Sequence, residues 1–372
     1  VVNGKFNRFT MTYSSDKPLE VYVRYGTRDE EESFYLEAGS GDFSAVLYKF
    51  LLNQYRRDFT SIRVKPCSPG AVSFSLSALS TEAVTKPSQT YFLENDRLKL
   101  GIALHWGGTI SYVEDKNCPV EGLTNLVNRH DTGRLIQQSY YGTWECDEYE
   151  SGYYGENQWN YNPVQGGNLH NESSKIVDLE VTDDYIYIKC RPLDWAKPAE
   201  NISPSYMEAT YSICDGAVEV SCRFVDFSGY PEYYTTQELP AFYCIEPFNR
   251  FVYYNGDAPW TGDKNYSYQN ELIFWPDAGY PNFQSTENWS AFIGEFDDSF
   301  GIGIYTPHHG NFLAGVLARE TTTDKDPSVA STTSYIATVK HNTFRSFVPS
   351  EYNYYIATGT VDEMRESFDN LR

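Results

Sequence analysis

The chain contains 372 residues with a formal net charge of -22, and its 32 tyrosines outnumber its 29 lysines and arginines together. This balance argues against a nucleic-acid-binding protein and against an anionic membrane surface as partner, because both need a basic protein surface. Aromatic residues make up 16% of the chain, which argues against intrinsic disorder, and the length suggests two domains. No apolar run approaches the roughly 18 residues of a membrane-spanning helix.

Residues 1–85 are predicted to form a small antiparallel β-sandwich. One exception is residues 43–55, where apolar residues recur at every third or fourth position after Asp42, a pattern typical of a helix. The polar, proline-containing segment at residues 81–89 is predicted to be a linker. The runs that alternate apolar and polar residues, as half-buried strands do, are residues 6–13, 19–25, 33–37, 61–64 and 72–78.

Residues 86–372 carry the same alternating pattern on a larger scale. The Asp215-Gly216 pair between two runs is typical of a tight hairpin. So many antiparallel strands need two large packed sheets or a barrel. Only residues 361–371 combine helical spacing with acids in the first turn, so a short C-terminal helix is predicted. The predicted strands include residues 176–181, 185–190, 207–213, 217–224, 248–254, 290–296, 301–305 and 333–339.

The cysteines and the start of the chain bear on its location. The seven cysteines contain no CxxC pair and are predicted to be free, half-buried thiols, with a disulfide as the alternative in a secreted protein. The chain opens without a charged segment followed by an apolar core, so no signal peptide is visible. We therefore expect a soluble protein, either cytoplasmic or secreted with its signal removed. The composition does not indicate an oligomeric state.

Two long polar segments, residues 125–170 and 253–280, carry an unusual number of aromatic rings. Sugars offer a reason for exposing such rings, because their C–H faces stack on aromatic rings while their hydroxyls bind polar side chains. The simpler alternative is that many of these rings pack against their own loops. The predicted stacking residues are Tyr141, Trp159, Trp260 and Trp275, and the predicted hydroxyl-binding residues are Gln138, Asn162 and Gln165.

Two short motifs carry the candidate catalytic groups. The motif RHDTGR contains His130, Asp131 and Arg134, and TQELPAFY places Glu238 in a partly apolar setting. Burial would raise the pKa of such a glutamate, and glycoside hydrolysis needs a pair of carboxylates. We predict Asp131 and Glu238 as the acid/base pair, with His130 and Arg134 orienting Asp131 or binding substrate. The alternatives are an Asp–Arg clamp that orders the loop and a hydrogen-bonded glutamate at a strand end.

Other chemistries find little support in the sequence. His308 and His309 are adjacent, so on a strand they face opposite sides and rarely bind one metal, and we predict that His308 lines the sugar site. No cofactor is predicted, although the acidic loop at residues 145–156 leaves a structural calcium ion open. No Gly-x-Ser-x-Gly elbow, P-loop or dinucleotide fingerprint occurs, which argues against a serine hydrolase, an NTPase and a dehydrogenase.

From residue 91 onward the sequence resembles the galactose mutarotase-like β-supersandwich superfamily of carbohydrate-active proteins. The resemblance rests on the run LENDRLKLGIALHWGGTISYVEDKN, with its Gly-Gly turn between strands, and on NLVNRHDTGR leading into the site loop. It implies a large antiparallel supersandwich for residues 86–372 and an accessory β-sandwich for residues 1–85. This superfamily includes aldose epimerases, polysaccharide lyases and domains of glycoside hydrolases. The motifs RHDTGR and QELPAFY depart from the layout of the classical epimerases.

These observations favour a mainly β enzyme that cleaves the glycosidic bonds of an oligo- or polysaccharide by carboxylate acid/base catalysis. The alternatives are a polysaccharide lyase that acts by β-elimination, an aldose 1-epimerase and a non-catalytic carbohydrate-binding protein. The expected partner is a glycan, and neither a nucleic acid nor a membrane is expected.

Overall fold

Antiparallel strands dominate the structure, a computed structural model that describes residues 6–25, 30–47, 59–84, 87–144, 152–198, 202–214, 216–270, 272–275, 281–294, 300–317 and 326–372. The first six strands are β1 (Phe6–Ser15), β2 (Leu19–Tyr25), β3 (Glu30–Leu36), β4 (Gly39–Leu47), β5 (Phe59–Pro66) and β6 (Phe74–Val84). They form two three-stranded sheets in the orders β4-β1-β6 and β3-β2-β5. Alternate residues such as Phe9, Met11 and Val21 are fully buried in a shared apolar cluster, as expected for strands that cover a core.

Residues 43–47 differ from the helix predicted for residues 43–55. They belong to β4, which pairs along its whole length with β1. The side chains of Phe43 and Ala45 are buried at alternate positions, which is the periodicity of a strand. The helix prediction is therefore wrong for residues 43–47, and residues 48–55 lie outside the described residues. The predicted linker also overlaps strand β6, which continues to Val84.

The remaining strands form two large sheets. They are β7 (Thr90–Glu94), β8 (Leu98–Ala103), β9 (Thr109–Asp115), β10 (Ile136–Ser139), β11 (Tyr153–Tyr154), β12 (Asn157–Gln158), β13 (Pro163–Val164), β14 (Lys175–Val181), β15 (Tyr185–Arg191), β16 (Leu193–Asp194), β17 (Ser205–Cys214), β18 (Ala217–Asp226), β19 (Tyr233–Ile245), β20 (Phe248–Tyr254), β21 (Tyr266–Gln269), β22 (Ile273–Trp275), β23 (Asn282–Gln284), β24 (Trp289–Gly294), β25 (Gly301–Tyr305), β26 (Asn311–Leu317), β27 (Thr333–Phe344) and β28 (Ser350–Gly359). The eleven-stranded sheet follows the order β22-β26-β27-β19-β10-β9-β8-β7, with β13, β16 and β23 beside that path. The nine-stranded sheet follows β14-β15-β17-β18-β28-β25-β24-β20-β21.

The two large sheets pack face to face around the main core of the protein. Leu100, Phe242 and Ile336 of the eleven-stranded sheet meet Ile188 and Met207 of the nine-stranded sheet in this core, and all five are fully buried. Burial of apolar area at about 25 cal/mol per Å² is the main force that holds such layers together. Because successive strand residues point to opposite sides, the residues between them project from the outer faces.

The outer face of the nine-stranded sheet is covered by two other elements. Tyr206 and Phe227 pack into the core of the small sandwich. The helix α1 (Val361–Asn370) places Met364 and Phe368 against Trp289. The outer face of the eleven-stranded sheet carries a separate, smaller apolar cluster and the candidate site described below.

The predicted fold class is confirmed in its main features. The described residues are mainly β, with two large sheets, and α1 ends one residue before the end predicted for it. Strands β1–β6 form their own sheets, whereas a domain boundary at residue 85 stays a prediction. No helix among the described residues is long and apolar enough to cross a membrane.

Candidate functional site

Glu238 lies in the middle of the eleven-stranded sheet, on strand β19. It pairs with Ser139 of β10 on one side and with Val339 of β27 on the other. The pairing with β27 is then interrupted up to Ala241, across Pro240, which a cis peptide bond joins to the preceding residue. Proline has no N–H to donate to a ladder, and an irregularity of this kind re-aims the side chains beside it. The sequence therefore builds a local break at the position of Glu238.

Two tyrosine hydroxyls donate hydrogen bonds to the Glu238 carboxylate, those of Tyr335 and Tyr141. Burial raises the pKa of Glu238 above its usual range, and these two hydrogen bonds offset part of that rise. Burial also raises the pKa values of Tyr141 and Tyr335 well above 10, so both remain protonated donors at neutral pH. The Glu238 side chain itself is half-buried, as expected for a group at the bottom of an open site.

Tyr243 and Arg134 extend this group of polar side chains. The rings of Tyr243 and Tyr335 lie 4.5 Å apart, and the Arg134 guanidinium lies 5.4 Å from the Tyr243 ring centre. Arg134 is only 7% exposed, and its Nε has no hydrogen-bond partner among the described residues. Burial raises the pKa of the Tyr243 hydroxyl, Arg134 lowers it, and the charges of Glu238 and Asp131 raise it further. Both predicted carboxylates therefore act on one hydroxyl.

The motif RHDTGR forms a loop at the rim of this group. The Oδ1 atom of Asp131 accepts hydrogen bonds from the backbone N–H groups of Gly133 and Arg134, at 2.9 and 3.1 Å. Asp131 thus orders the loop through its backbone, which differs from the predicted clamp on an arginine guanidinium. His130 is exposed, and its Nδ1 lies 2.8 Å from the carbonyl oxygen of Val329. The ring of His130 is therefore held against a neighbouring loop.

Three aromatic rings, which we call the aromatic wall, stand beside the RHDTGR loop. The rings of Tyr154 and Trp159 lie 5.5 Å apart, and those of Tyr154 and Trp195 lie 6.5 Å apart. A Cβ atom at Gly133 would lie 2.4 Å from the Trp195 ring, so glycine lets this indole approach the loop. Tyr154 is also among the groups that raise the pKa of the Tyr243 hydroxyl.

Three predicted hydroxyl-binding amides are buried and bonded to protein groups. The Nε2 atom of Gln138 donates to the Glu208 carbonyl, across the main core at 2.9 Å. Gln165 donates to the carbonyl oxygens of Gly107 and Gly108, both at 3.2 Å. Gln138 and Gln165 are each 1% exposed, so the structure corrects both predictions of sugar contact. A one-residue shift in the pairing of β10 would turn the Gln138 side chain from the interior to the outer face of the sheet.

Asn162 has a supporting position rather than a free amide. Its Oδ1 accepts a hydrogen bond of 3.1 Å from the indole Nε1 of Trp159, and its Nδ2 donates to the Tyr140 carbonyl at 2.7 Å. At 2% exposure it is buried, so the structure corrects its predicted hydroxyl-binding role. Asn162 instead fixes the orientation of one ring of the aromatic wall.

The other predicted residues, Trp260, Trp275 and His308, come from segments outside strands β10 and β19. Trp260 packs 6.0 Å from the Tyr305 ring, in the apolar cluster under α1, so it belongs to the opposite side of the protein. Its predicted stacking role stays a prediction. The backbone of Trp275 pairs with β26, whereas its side chain lies outside the described residues. His308 is exposed in the turn between β25 and β26, which joins the two large sheets.

Four aromatic residues of the candidate site were not among the residues predicted from the sequence, namely Tyr154, Trp195, Tyr243 and Tyr335. Tyr243 and Tyr335 occupy outward positions of adjacent central strands and pair directly with each other. Tyrosine is common in strands, so the alternation alone did not mark these two residues as part of a site. Trp195 and Tyr154 come from separate segments, and only the folded chain brings them together.

No group of three or more metal-ligating side chains was found within the part of the chain that the structure describes. Of the acidic loop at residues 145–156, the first seven residues lie outside the described residues. Six cysteines are free, and Cys146 is the one outside the described part.

No family model and no curated protein matches the sequence. Among solved structures, the chain is similar to a galactose mutarotase-like protein from Lactobacillus casei, with 10% identity and a TM-score of 0.45, over 72% of this chain and 99% of that one. It is also similar to a galactose mutarotase related enzyme from Lactobacillus acidophilus, with 14% identity and a TM-score of 0.39, over 72% and 97%. A 4-α-glucanotransferase from Thermococcus litoralis matches with 10% identity and a TM-score of 0.39, over 73% and 37%.

Proposed function

We propose that this protein is a carbohydrate-active enzyme that cleaves the glycosidic bonds of an oligo- or polysaccharide. The observation that carries the proposal is the setting of Glu238, a carboxyl group with a raised pKa at a break in the central strand. Perturbed carboxyl groups of this kind, half-open to solvent and surrounded by donors, are typical of general acids and bases.

Glu238 supplies the proton in the proposed reaction. Its raised pKa favours the protonated form, which donates to the glycosidic oxygen while the bond from that oxygen to the anomeric carbon breaks. A water molecule then adds to the anomeric carbon and gives up one proton to Asp131, so that each fragment ends in a hydroxyl. Tyr141 and Tyr335 stabilise the carboxylate that Glu238 becomes, because each donates a hydrogen bond to it.

The surroundings of Glu238 suit a sugar ring. The aromatic wall offers flat faces for C–H groups, and Trp159 is held in place by its bond to Asn162. Arg134 places a positive charge behind this group, with its guanidinium 5.4 Å from the centre of the Tyr243 ring. Apolar faces and polar donors therefore converge beside one acid.

Arg134 also favours a second candidate function, β-elimination on a uronate-containing glycan. In that reaction a cation neutralises the uronate carboxylate and a base removes the proton beside it. A C=C bond then forms as the glycosidic bond breaks, the departing oxygen takes up a proton, and no water is added. The guanidinium of Arg134, 5.4 Å from the centre of the Tyr243 ring, would supply the cation. The net charge of -22 makes an acidic polysaccharide the less favoured substrate.

Mass spectrometry of products tests the proposal. The purified protein is incubated with a panel of neutral and uronate-containing glycans, and hydrolysis is expected to add the mass of one water per bond cleaved. Fragments without added water that absorb in the near ultraviolet would assign β-elimination instead. Binding without any product would leave a carbohydrate-binding protein, and a change of optical rotation on free sugars alone would indicate an epimerase.

A further inference from the structure

The outer face of strand β19 continues beyond Glu238 toward the start of the strand. Thr236 and Tyr234 are two and four residues before Glu238, so the alternation of a strand places them on the same face. On the neighbouring strand β27, His341 pairs with Thr236, two residues beyond the partner of Glu238. At about 3.3 Å per residue, Tyr234 stands roughly 13 Å from Glu238 along the strand.

These residues form an exposed and ordered aromatic surface, which we call the Tyr234 platform. The Tyr234 side chain is 67% exposed, yet its ring stacks on the His341 ring at 5.6 Å with an angle of 29°. The Nε2 atom of His341 lies 3.1 Å from the Thr236 hydroxyl, which fixes the imidazole. A ring that is held in place yet open to solvent is ready to bind, because little side-chain entropy remains to be lost.

Trp144 lies at the start of β19, on the side of the strand opposite to Tyr234, because successive strand residues point to opposite faces. Its indole is 45% exposed, and its Nε1 donates a hydrogen bond of 3.1 Å to the hydroxyl of Tyr233, the first residue of β19. The nearby charges of Arg345 and Glu232 pair with each other at 3.1 Å. The platform therefore offers aromatic faces and hydroxyls with little unpaired charge, which suits a neutral glycan better than a charged partner.

We propose that the Tyr234 platform is a second sugar subsite, which binds the part of a glycan chain that extends from Glu238 along β19. This inference rests on the proposed function and narrows it, because a site of this length fits an oligo- or polysaccharide rather than a free monosaccharide. We assign a glycan chain to the Tyr234 platform because the platform and Glu238 lie on the same face of the same strand.

Affinity electrophoresis tests the subsite without requiring turnover. The Glu238→Gln protein and the double variant Glu238→Gln/Tyr234→Ala are run in gels that contain a soluble β-glucan, xylan, mannan or galactan. We expect at least one polysaccharide to retard the single variant, and the Tyr234 change to weaken that binding by several-fold to about tenfold. Phe92→Ala, at another ring that is 48% exposed, is the matched control and should leave the retardation unchanged.

Three results would overturn the subsite. They are equal retardation with and without Tyr234, no retardation by any polysaccharide of the panel, and a concentration-dependent dimer that the Tyr234 change abolishes. Kinetics separate this failure from failure of the proposed function. If the wild type shows no turnover but binding still depends on Tyr234, the proposed enzymatic activity fails and the subsite stands. If Tyr234→Ala turns over long substrates with an unchanged KM, the subsite fails and the proposed enzymatic activity stands.

Discussion

The carboxyl group of Glu238 lies among three tyrosines that keep their protons, because burial raises the pKa of Tyr141, Tyr243 and Tyr335. The tyrosines therefore act as donors rather than as bases, and Glu238 is the carboxyl group among them that gives up and takes back a proton in the proposed reaction. Hydrogen bonds to its charged form lower its pKa and burial raises it. The chemistry of the site depends on the balance between these two effects.

Tyr141→Phe is expected to move the pH–rate profile. The change removes one hydrogen bond to the Glu238 carboxylate, so the pKa of Glu238 rises further above its ordinary value. The limb of the profile that Glu238 governs should therefore shift to higher pH. Tyr153→Phe, at a side chain that is 61% exposed, is the control and should leave the limb in place. An unchanged limb in Tyr141→Phe would exclude Tyr141 as a partner of the reacting carboxyl.

Asp131→Asn separates the two roles open to Asp131. Asparagine keeps the oxygen that accepts the backbone hydrogen bonds of Gly133 and Arg134, but it removes the negative charge. If Asp131 takes the proton from water, turnover should fall by about 10²–10⁴-fold while the melting temperature stays close to that of the wild type. Full turnover would limit Asp131 to ordering the loop.

At the scale of elements, α1 is fixed to the nine-stranded sheet by a buried ion pair as well as by apolar packing. The Nε of Arg365 donates to Glu287 at 2.9 Å, and the two residues are 6% and 1% exposed. The same carboxylate accepts a hydrogen bond of 2.7 Å from the indole of Trp289. This network ties the C-terminal helix to the loop before β24.

Arg365→Leu is expected to lower the free energy of unfolding by about 3–5 kcal/mol, because Glu287 would be left as an unpaired buried charge. Adding Glu287→Gln should restore part of the loss, since the amide is neutral and still accepts the Trp289 hydrogen bond. Arg372→Leu is the exposed control, with an expected loss within about 1 kcal/mol. Urea unfolding measures all three, and equal losses for Arg365 and Arg372 would contradict a buried pair.

Element type was predictable from the sequence where local pattern and tertiary context agree. Helix α1 follows Thr360, which forms a capping box with Glu363, and both residues were visible in the sequence. Residues 43–47 became a strand because pairing with β1 overrides a local helical spacing. The spacing of apolar residues in one segment does not show which other strand that segment will pair with.

At the scale of the whole molecule, Arg223 links the small sandwich to the nine-stranded sheet. Its guanidinium lies 2.6 Å from Glu37, 3.0 Å from Glu208 and 3.2 Å from Glu351. Burial by itself would raise the pKa of Glu208, but Lys189, Tyr187 and Arg223 together lower it. The ionised Glu208 therefore holds Arg223 in place, and Arg223 in turn contacts Glu37 of the small sandwich.

Arg223→Gln should lower the free energy of unfolding by about 1–3 kcal/mol at neutral pH. Because the pKa of Glu208 is lowered in the folded state, its stabilising effect is full above the unfolded value of about 4.3 and is lost as the pH falls below it. The difference between variant and wild type should shrink over that same acidic range. Urea unfolding at neutral and acidic pH measures it, and an equal difference at both would contradict the charge-dependent link.

The candidate site was only partly predictable, for reasons that concern distance along the chain. Asp131 and Glu238 stand out as carboxylates in unusual local settings, and both act on the Tyr243 hydroxyl in the folded protein. Gln138 and Gln165 have the same residue type as sugar-binding amides, but their partners on distant segments hold them in the interior. Which amide is satisfied internally depends on strand register, which local sequence does not determine.

Turnover of the Glu238→Gln variant tests the central claim most directly. Glutamine keeps the size of the side chain but cannot donate the proton, so turnover on the glycan that the wild type cleaves should fall by about 10²–10⁴-fold with an unchanged melting temperature. Glu366→Gln, on the exposed face of α1, is the matched control and should retain full turnover. Full turnover in Glu238→Gln would contradict the account.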